Sequence, residues 1–134
     1  MEKITFYKDP AKRLVRPTLF SDVAENLARD IAKEGGKVQE KDRLNKNKRS
    51  QIRKFYDEVL RLKSEAETEP WENVEPLVKM LNAKAAYAFG RDYVSAGFLS
   101  FIKESVGQVN SPQDLNVFAN LFEAFMGYYK MYGD

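Results

Sequence analysis

The spacing of large apolar residues in the last part of the chain constrains the fold more than any other feature. They recur at intervals of three, four, three, four and three residues, which is the rhythm of one face of an α-helix. This stripe consists of Leu115, Phe118, Phe122, Phe125, Tyr129 and Tyr132. A second stripe beside it consists of Val117, Leu121 and Tyr128. A helix that is apolar on more than one face is either the central helix of a bundle or is partly buried by another subunit.

Four earlier segments show the same helical periodicity. The five helices are expected over residues 20–31, 50–66, 73–89 and 93–107, and from residue 112 to near the end of the chain. Ser111 and Pro112 give the last helix an N-cap and a proline at its first position. Ser50 is the predicted N-cap of the second helix. Gly35-Gly36 ends the first helix, and Gly90 is expected at the break after the third.

These segments predict an all-α fold, a single-domain bundle of about five helices over residues 1–134, because strand signals are weak throughout. Residues 1–17, interrupted by two prolines, are expected to form an irregular N-terminal arm. Residues 37–49 contain too few aliphatic side chains for a packed face. We expect them to form a basic loop that is either mobile or ordered by a partner.

The apolar positions of the second and third helices define the faces that should pack on the core. In the second helix they are Ile52, Phe55, Tyr56, Val59 and Leu60. In the third helix they are Val74, Leu77, Val78, Leu81, Ala85 and Ala88. Trp71, beside a proline in the connection between these helices, is expected to cover one end of the core.

Positive charge is concentrated in one segment of the chain. Residues 37–54 carry eight Lys/Arg and two Asp/Glu, whereas residues 55–134 carry seven and twelve. A basic segment on an otherwise mildly acidic domain indicates a polyanion site more specifically than a diffusely basic surface would.

Much of this charge lies at the start of the second helix, where Lys48, Arg49, Arg53 and Lys54 cluster. Cations are disfavoured at a helix N-terminus because the macrodipole is positive there. Either an anion such as phosphate occupies this position, or the cluster is a solvated basic turn. Arg91 lies at the join of the third and fourth helices, where it can serve as a carbonyl cap or as a ligand contact.

The composition excludes several kinds of catalytic site. The chain has no Cys and no His, which removes disulfides, thiolate nucleophiles, the commonest general base and the commonest metal ligand. It has neither a GxxxxGK phosphate loop nor a GxGxxG motif. We therefore predict no enzyme activity, no catalytic residue, no metal site and no cofactor. The chain also lacks a signal-peptide core and a run of roughly 20 apolar residues, so the cytoplasm is the expected location.

Three segments carry a resemblance to a known family. They are SQIRKFYDEVLRL (50–62), EPLVKMLNAKAAYAFGR (75–91) and LNVFANLFEAFMGYYKMY (115–132). In these segments the chain resembles the small subunit of type III-A CRISPR effector complexes, the small helical protein of the Csm group. The resemblance includes the first helix but not the arm before Thr18 or the loop over residues 37–47.

The resemblance implies a helical bundle present in several copies along a filament of larger subunits that hold the guide RNA. The implied partners are crRNA and target RNA, the backbone and large subunits, and neighbouring copies of the same chain, with monomer and homodimer both open for the isolated protein. Similar proteins have no nuclease activity of their own. Carried over to this chain, the implied RNA-binding residues are Lys48, Arg49, Arg53 and Lys54, followed by Arg61 and Arg91. The loop departs from the family, so Lys41, Arg43 and Lys46 are not assigned.

Three functions are compatible with these observations. The first is a non-catalytic RNA-binding subunit that contacts the phosphate and ribose of any guide or target and helps to assemble a complex for antiviral defence. The second is a protein–protein adaptor whose basic segment contacts an acidic partner. The third, a nuclease that uses Lys, Tyr and carboxylates, ranks last. The concentrated basic segment, together with the lack of catalytic motifs, favours the first.

Overall fold

The computed structural model describes residues 3–133, which form a helical bundle with a small N-terminal hairpin. The helices are α1 (Ala24–Glu34), α2 (Arg49–Glu65), α3 (Trp71–Gly90), α4 (Ala96–Val106) and α5 (Pro112–Tyr132). They are preceded by strands β1 (Tyr7–Asp9) and β2 (Leu14–Val15) and by a π-helical turn (Leu19–Val23) that leads into α1. The prediction of an all-α, single-domain bundle of about five helices is confirmed. Predictions that fall on residues 1, 2 and 134 lie outside the described residues.

Helix α5 is the central helix of the bundle. It packs against α1, α2 and the π-helical turn, and its rings meet those of α4. Phe122 and Phe125 have ring centroids 5.2 and 5.5 Å from that of Phe101. The buried residues of α5 are Asp114, Leu115, Phe118, Ala119, Leu121, Phe122, Phe125, Met126 and Tyr129. This burial arises within one chain, so the expectation that α5 is the central helix of the bundle is confirmed.

The start of α5 follows its sequence signal and also holds the N-terminal hairpin. Ser111 is the N-cap, and its hydroxyl accepts a hydrogen bond from the amide of Asp114 at 3.2 Å. The carboxylate of Asp114 accepts hydrogen bonds from the amide of Asn110 at 2.9 Å and from the hydroxyl of Tyr7. The guanidinium of Arg13 lies 3.2 Å from the same carboxylate. Asp114 therefore contributes hydrogen bonds to the start of α5 and also holds the hairpin through Tyr7 and Arg13.

The prediction of an irregular arm over residues 1–17 is wrong for the part that the structure describes. Strands β1 and β2 pair in an antiparallel hairpin. Phe6 is fully buried, and its ring stacks on Phe118 with centroids 6.4 Å apart. Strands of three and two residues give too short an alternation to be recognised in the sequence, and Pro10 between them and Pro17 after them suggested an irregular segment.

Helices α3 and α4 differ from their predicted bounds. Helix α3 begins at Trp71 rather than residue 73, because Pro70 is its N-cap. Trp71 is half-buried against the core, as predicted. Helix α4 begins at Ala96 rather than residue 93, because the hydroxyl of Ser95 caps it by accepting a hydrogen bond from the amide of Phe98 at 3.5 Å.

Two apolar residues predicted to face the core are exposed. Leu60 of α2 is 37% exposed and Leu77 of α3 is 38% exposed, so their assignment to buried faces is wrong. The other predicted positions on these faces are buried or packed against the core. Helix α3 packs on α2 and α4 at the side of the bundle, so it buries a narrower stripe than the central helix does.

The prediction that Ser50 caps α2 is wrong. The helix begins one residue earlier, at Arg49, and Lys48 is its N-cap with an extended backbone (φ −62°, ψ 141°). The carbonyl of Lys48 accepts the first intrahelical hydrogen bond, from the amide of Ile52 at 3.1 Å. The preceding residue, Asn47, fixes this starting point by contacts that are distant in sequence.

Asn47 anchors the end of the loop over residues 37–48. It is fully buried, with a left-handed backbone at φ 56°. Its side chain donates to the carbonyl of Ile31 at 2.9 Å and to the hydroxyl of Ser95 at 2.8 Å, and accepts from the amide of Ser95 at 2.8 Å. Its carbonyl accepts from the hydroxyl of Tyr129 at 2.6 Å. This end of the loop is therefore held against α1, α4 and α5, which a freely mobile loop would not be.

Candidate nucleic-acid interface

Cations surround the start of α2. Lys48 precedes the helix, Arg49 is its first residue, and both line a surface cavity of about 520 Å³. Lys37 and Arg43 of the preceding loop line the same cavity, together with the carboxylate of Asp42. The fold thus brings Lys37 and Arg43 of the loop next to Lys48 and Arg49, two of the four cations predicted at the helix start.

The dipole of α2 is uncompensated at its N-terminus. Its first turn contains no acidic residue, and among the described residues no side chain caps it. A helix N-terminus carries partial positive charge, so Lys48 and Arg49 add to that charge. Such an end suits an anion with several acceptor oxygens, of which phosphate is the common biological example.

Arg53 and Lys54 lie in the next turn of α2, and both are exposed. Nε of Arg53 lies 3.7 Å from Oδ1 of Asp57, in an exposed ion pair of the kind that contributes little stability. That contact leaves other guanidinium donors for a ligand. Lys54 lines a groove between α2 and α3. The structure therefore divides the predicted cluster between the cavity at the helix start and this neighbouring groove.

Arg61 lies about three turns from the start of α2 and is engaged by carboxylates. Its guanidinium donates to Glu58 and Glu65, and Glu58 also accepts a hydrogen bond from Nζ of Lys84 at 2.7 Å. The hydrogen bond to Glu58 raises the pKa of Arg61. The hydrogen bond from Lys84 lowers the pKa of Glu58. Arg61 thus belongs to an acidic–basic network and not to the cation cluster at the helix start.

Arg91 follows the last residue of α3 and contacts two tyrosines. Its Cζ lies 5.8 Å from the ring centroid of Tyr87 and 5.5 Å from that of Tyr93. Its guanidinium donates to their hydroxyls at 3.1 and 3.3 Å. Arg91 therefore occupies the predicted join between two helices as part of an exposed aromatic cluster.

Several residues of these surfaces lie outside the predicted set. Lys37 lines the cavity at the helix start, and Lys84, Tyr87 and Tyr93 line the groove beside Lys54. The periodicity of one helix cannot show which loop or helix lies beside it, so Lys37 and Lys84 had no local signal. Tyr87 did have a local signal, because this large aromatic residue lies off the predicted apolar stripe of α3. In the structure its side chain is 63% exposed.

Two other features concern metal ions and membranes. Within residues 3–133, acidic side chains do not form a group of three or more that could hold a metal ion. None of the helices in that same part of the chain combines the length and apolar character needed to cross a membrane.

Comparison with known proteins identifies a family. A family model described as Csm2 Type III-A matches residues 22–134. The matched range contains all five helices and begins after the N-terminal hairpin. Neither a curated protein nor a solved structure matches the chain. The cavity at the start of α2 and the groove beside it both lie inside the matched range.

Proposed function

This chain belongs to the Csm2 family, the small subunits of type III-A CRISPR Csm complexes, and we propose that it binds the guide and target RNA of such a complex through the start of α2. The observation that carries the proposal is the cavity at the start of α2. Four cations and one carboxylate, from Lys37, Arg43, Lys48, Arg49 and Asp42, line it beside a helix N-terminus whose first turn contains no acidic residue. A polyanion backbone supplies the charge that this surface leaves uncompensated.

Binding of this kind is independent of sequence. Contacts to phosphate and ribose position a nucleic acid without reading its bases. A subunit that accepts any guide and any target requires contacts of that type. Exposed or half-buried Arg and Lys around an open cavity provide them.

The cations of α2 have different proposed roles. Arg53 can hold a phosphate with two parallel hydrogen bonds, because its guanidinium is planar and exposed. Lys48 and Lys54 act as mobile point charges. Arg49 lines the cavity beside the uncapped first turn, where phosphate oxygens would meet backbone amides.

Arg61 and Arg91 are proposed to contribute less than the four residues at the helix start. Glu58 and Glu65 already accept hydrogen bonds from Arg61. A phosphate would have to compete with both carboxylates. Arg91 keeps an exposed guanidinium but lies at the end of α3, on the groove side of α2.

The family is one of structural small subunits that are generally non-catalytic. We propose that this chain likewise has no catalytic activity and contributes RNA binding and assembly in the cytoplasm. Its proposed protein partners are the backbone and large subunits of the complex and neighbouring copies of itself.

The experiment measures binding of a fluorescent single-stranded RNA across a salt series. The test variant replaces Lys48, Arg49, Arg53 and Lys54 together with Ala. If each of these four cations contacts one phosphate, the slope of log affinity against log salt should be flatter in the variant than in the wild type by roughly 3, from about 0.7 per phosphate. Lys37 and Arg43, which remain in the variant, would account for a residual slope. The charge-matched control replaces four exposed lysines on other surfaces, namely Lys8, Lys12, Lys79 and Lys103.

Circular dichroism confirms that both variants are folded. The proposal requires the control to bind RNA like the wild type while the test variant does not. An equal loss in both variants would mean that RNA binds through diffuse charge. Binding by neither the wild type nor the variants would favour the adaptor function with an acidic protein partner.

A further inference from the structure

A groove of about 310 Å³ lies between α2 and the end of α3, next to the basic helix start. Aromatic rings, an amide, two ammonium groups and one carboxylate line it, from Gln51, Lys54, Phe55, Glu58, Lys84, Tyr87 and Tyr93. Tyr87 is 63% exposed and Tyr93 is 38% exposed, although both are large aromatic residues. The groove is therefore an open aromatic surface with cations at its edge.

We propose that this groove binds an unpaired base of single-stranded RNA. The ring of Tyr87 or Tyr93 stacks on the base, and Lys54 and Arg91 contact the adjacent phosphates. The inference rests on the proposed RNA-binding function and extends it from the backbone to the face of a base.

The two tyrosines form a preorganised platform. Arg91 donates hydrogen bonds to both hydroxyls and lies over both rings, which fixes the rings relative to each other. A surface that is already ordered loses less conformational entropy when a ligand stacks on it. Every base has a π face, so stacking of this kind tolerates any sequence.

The charge of the groove selects a nucleic acid over an apolar protein segment. Lys54, Lys84 and Arg91 surround the aromatic rings, and the carboxylate of Glu58 is already bonded to Lys84. An apolar peptide would leave Lys54 and Arg91 without compensating charge at the edge of the contact. A nucleotide offers an aromatic ring and a phosphate within one residue, which matches both kinds of lining group.

The groove should distinguish single-stranded RNA from a duplex. In a duplex the faces of the bases are covered by neighbouring base pairs, so the tyrosines can reach only an unpaired base. The cations at the start of α2 contact phosphate and therefore bind both forms. Loss of the groove should lower affinity for the single strand and leave affinity for the duplex unchanged.

The test uses the full chain with two RNA probes of the same sequence, one single-stranded and containing 2-aminopurine, the other a blunt duplex. Tyr87 and Tyr93 are replaced together by Leu, which removes the π faces, or by Phe, which keeps them and removes the hydroxyls that Arg91 contacts. Phe89→Leu is the matched control, because Phe89 is an exposed aromatic residue of α3 outside the groove.

The Leu pair should weaken single-strand binding about tenfold, abolish quenching of the 2-aminopurine and leave duplex binding and the salt slope unchanged. The Phe pair should keep the quenching and lose less single-strand affinity than the Leu pair, because it keeps the π faces but lacks the hydroxyls through which Arg91 fixes the rings. The Phe89→Leu control should behave like the wild type. Equal weakening for single strand and duplex, or none for either, would overturn the inference while the salt slope still supports the proposed function. Failure of the wild type to bind either RNA would overturn both.

Discussion

Replacement of the buried Asn47 should destabilise the protein more than replacement of any exposed cation. Asn47→Ala removes three side-chain hydrogen bonds to Ile31 and Ser95, of which each contributes about 1 kcal/mol net. Alanine at a left-handed position costs about 1 kcal/mol more. The expected loss is therefore about 4 kcal/mol, out of the roughly 5–15 kcal/mol by which most domains are stable.

Urea unfolding followed by far-UV circular dichroism measures this loss. Asn47→Gly removes the same hydrogen bonds but adopts the left-handed backbone freely, so it should be less destabilising than Asn47→Ala by about 1 kcal/mol. Asn45→Ala changes an exposed asparagine of the same loop and should fall within about 0.5 kcal/mol of the wild type. A loss below about 1 kcal/mol for Asn47→Ala would refute the reasoning, because the three bonds could then not be holding the loop.

Three further changes test other parts of the structure. Burial, then the hydrogen bond to Asp114, raises the pKa of Tyr7 from 10.0 to about 12. The folded protein thus holds the Tyr7 proton more tightly than the unfolded chain does. The contribution of Tyr7 to the free energy of unfolding is therefore complete below pH about 10 and is lost as the pH rises toward about 12. Tyr7→Phe should flatten that decline in urea titrations at alkaline pH, and an unchanged decline would contradict the assignment. Gly35→Ala should cost about 1–3 kcal/mol in thermal unfolding, because the added Cβ would lie 2.5 Å from the carbonyl oxygen of Lys46; an unchanged Tm would show that the loop moves aside freely. Arg61→Met should leave the salt slope of RNA binding unchanged, and a slope flatter by about 0.7, the loss of one phosphate contact, would mean that Arg61 contacts phosphate despite its carboxylate partners.

The parts of the fold that could be predicted from the sequence rest on local signals. The spacing of Phe118, Phe122 and Phe125 identifies a helix that is apolar on more than one face, and a central position in the bundle was one of the two expectations for such a helix. Ser111 next to Pro112 marks a helix start through contacts that lie within one turn. The hairpin escaped prediction because its stability comes from Phe6 packing on α5, a contact between the two ends of the chain.

The start of α2 is a second case in which contacts distant in sequence override a local sequence signal. Ser50 fits the sequence rule for a cap, yet the helix begins at Arg49, because Asn47 is fixed by partners on three distant helices. Lys48 and Arg49 were identified from local charge, while the loop cation Lys37 was not. A sequence pattern can therefore identify the cations of one helix, but it cannot show which residues of other elements lie beside them in the fold.

The anchoring of Asn47 has a consequence for the order of folding. Its partners Ile31, Ser95 and Tyr129 are separated from it by 16, 48 and 82 residues, so the chain closes long loops before these bonds can form. Contacts of that kind are expected to be absent from the folding transition state, with φ-values near zero at Asn47, and its replacement should accelerate unfolding more than it slows folding. The cations at the start of α2 would then reach their positions only in the last step, and a partly folded chain would not present the complete surface that we propose for RNA binding.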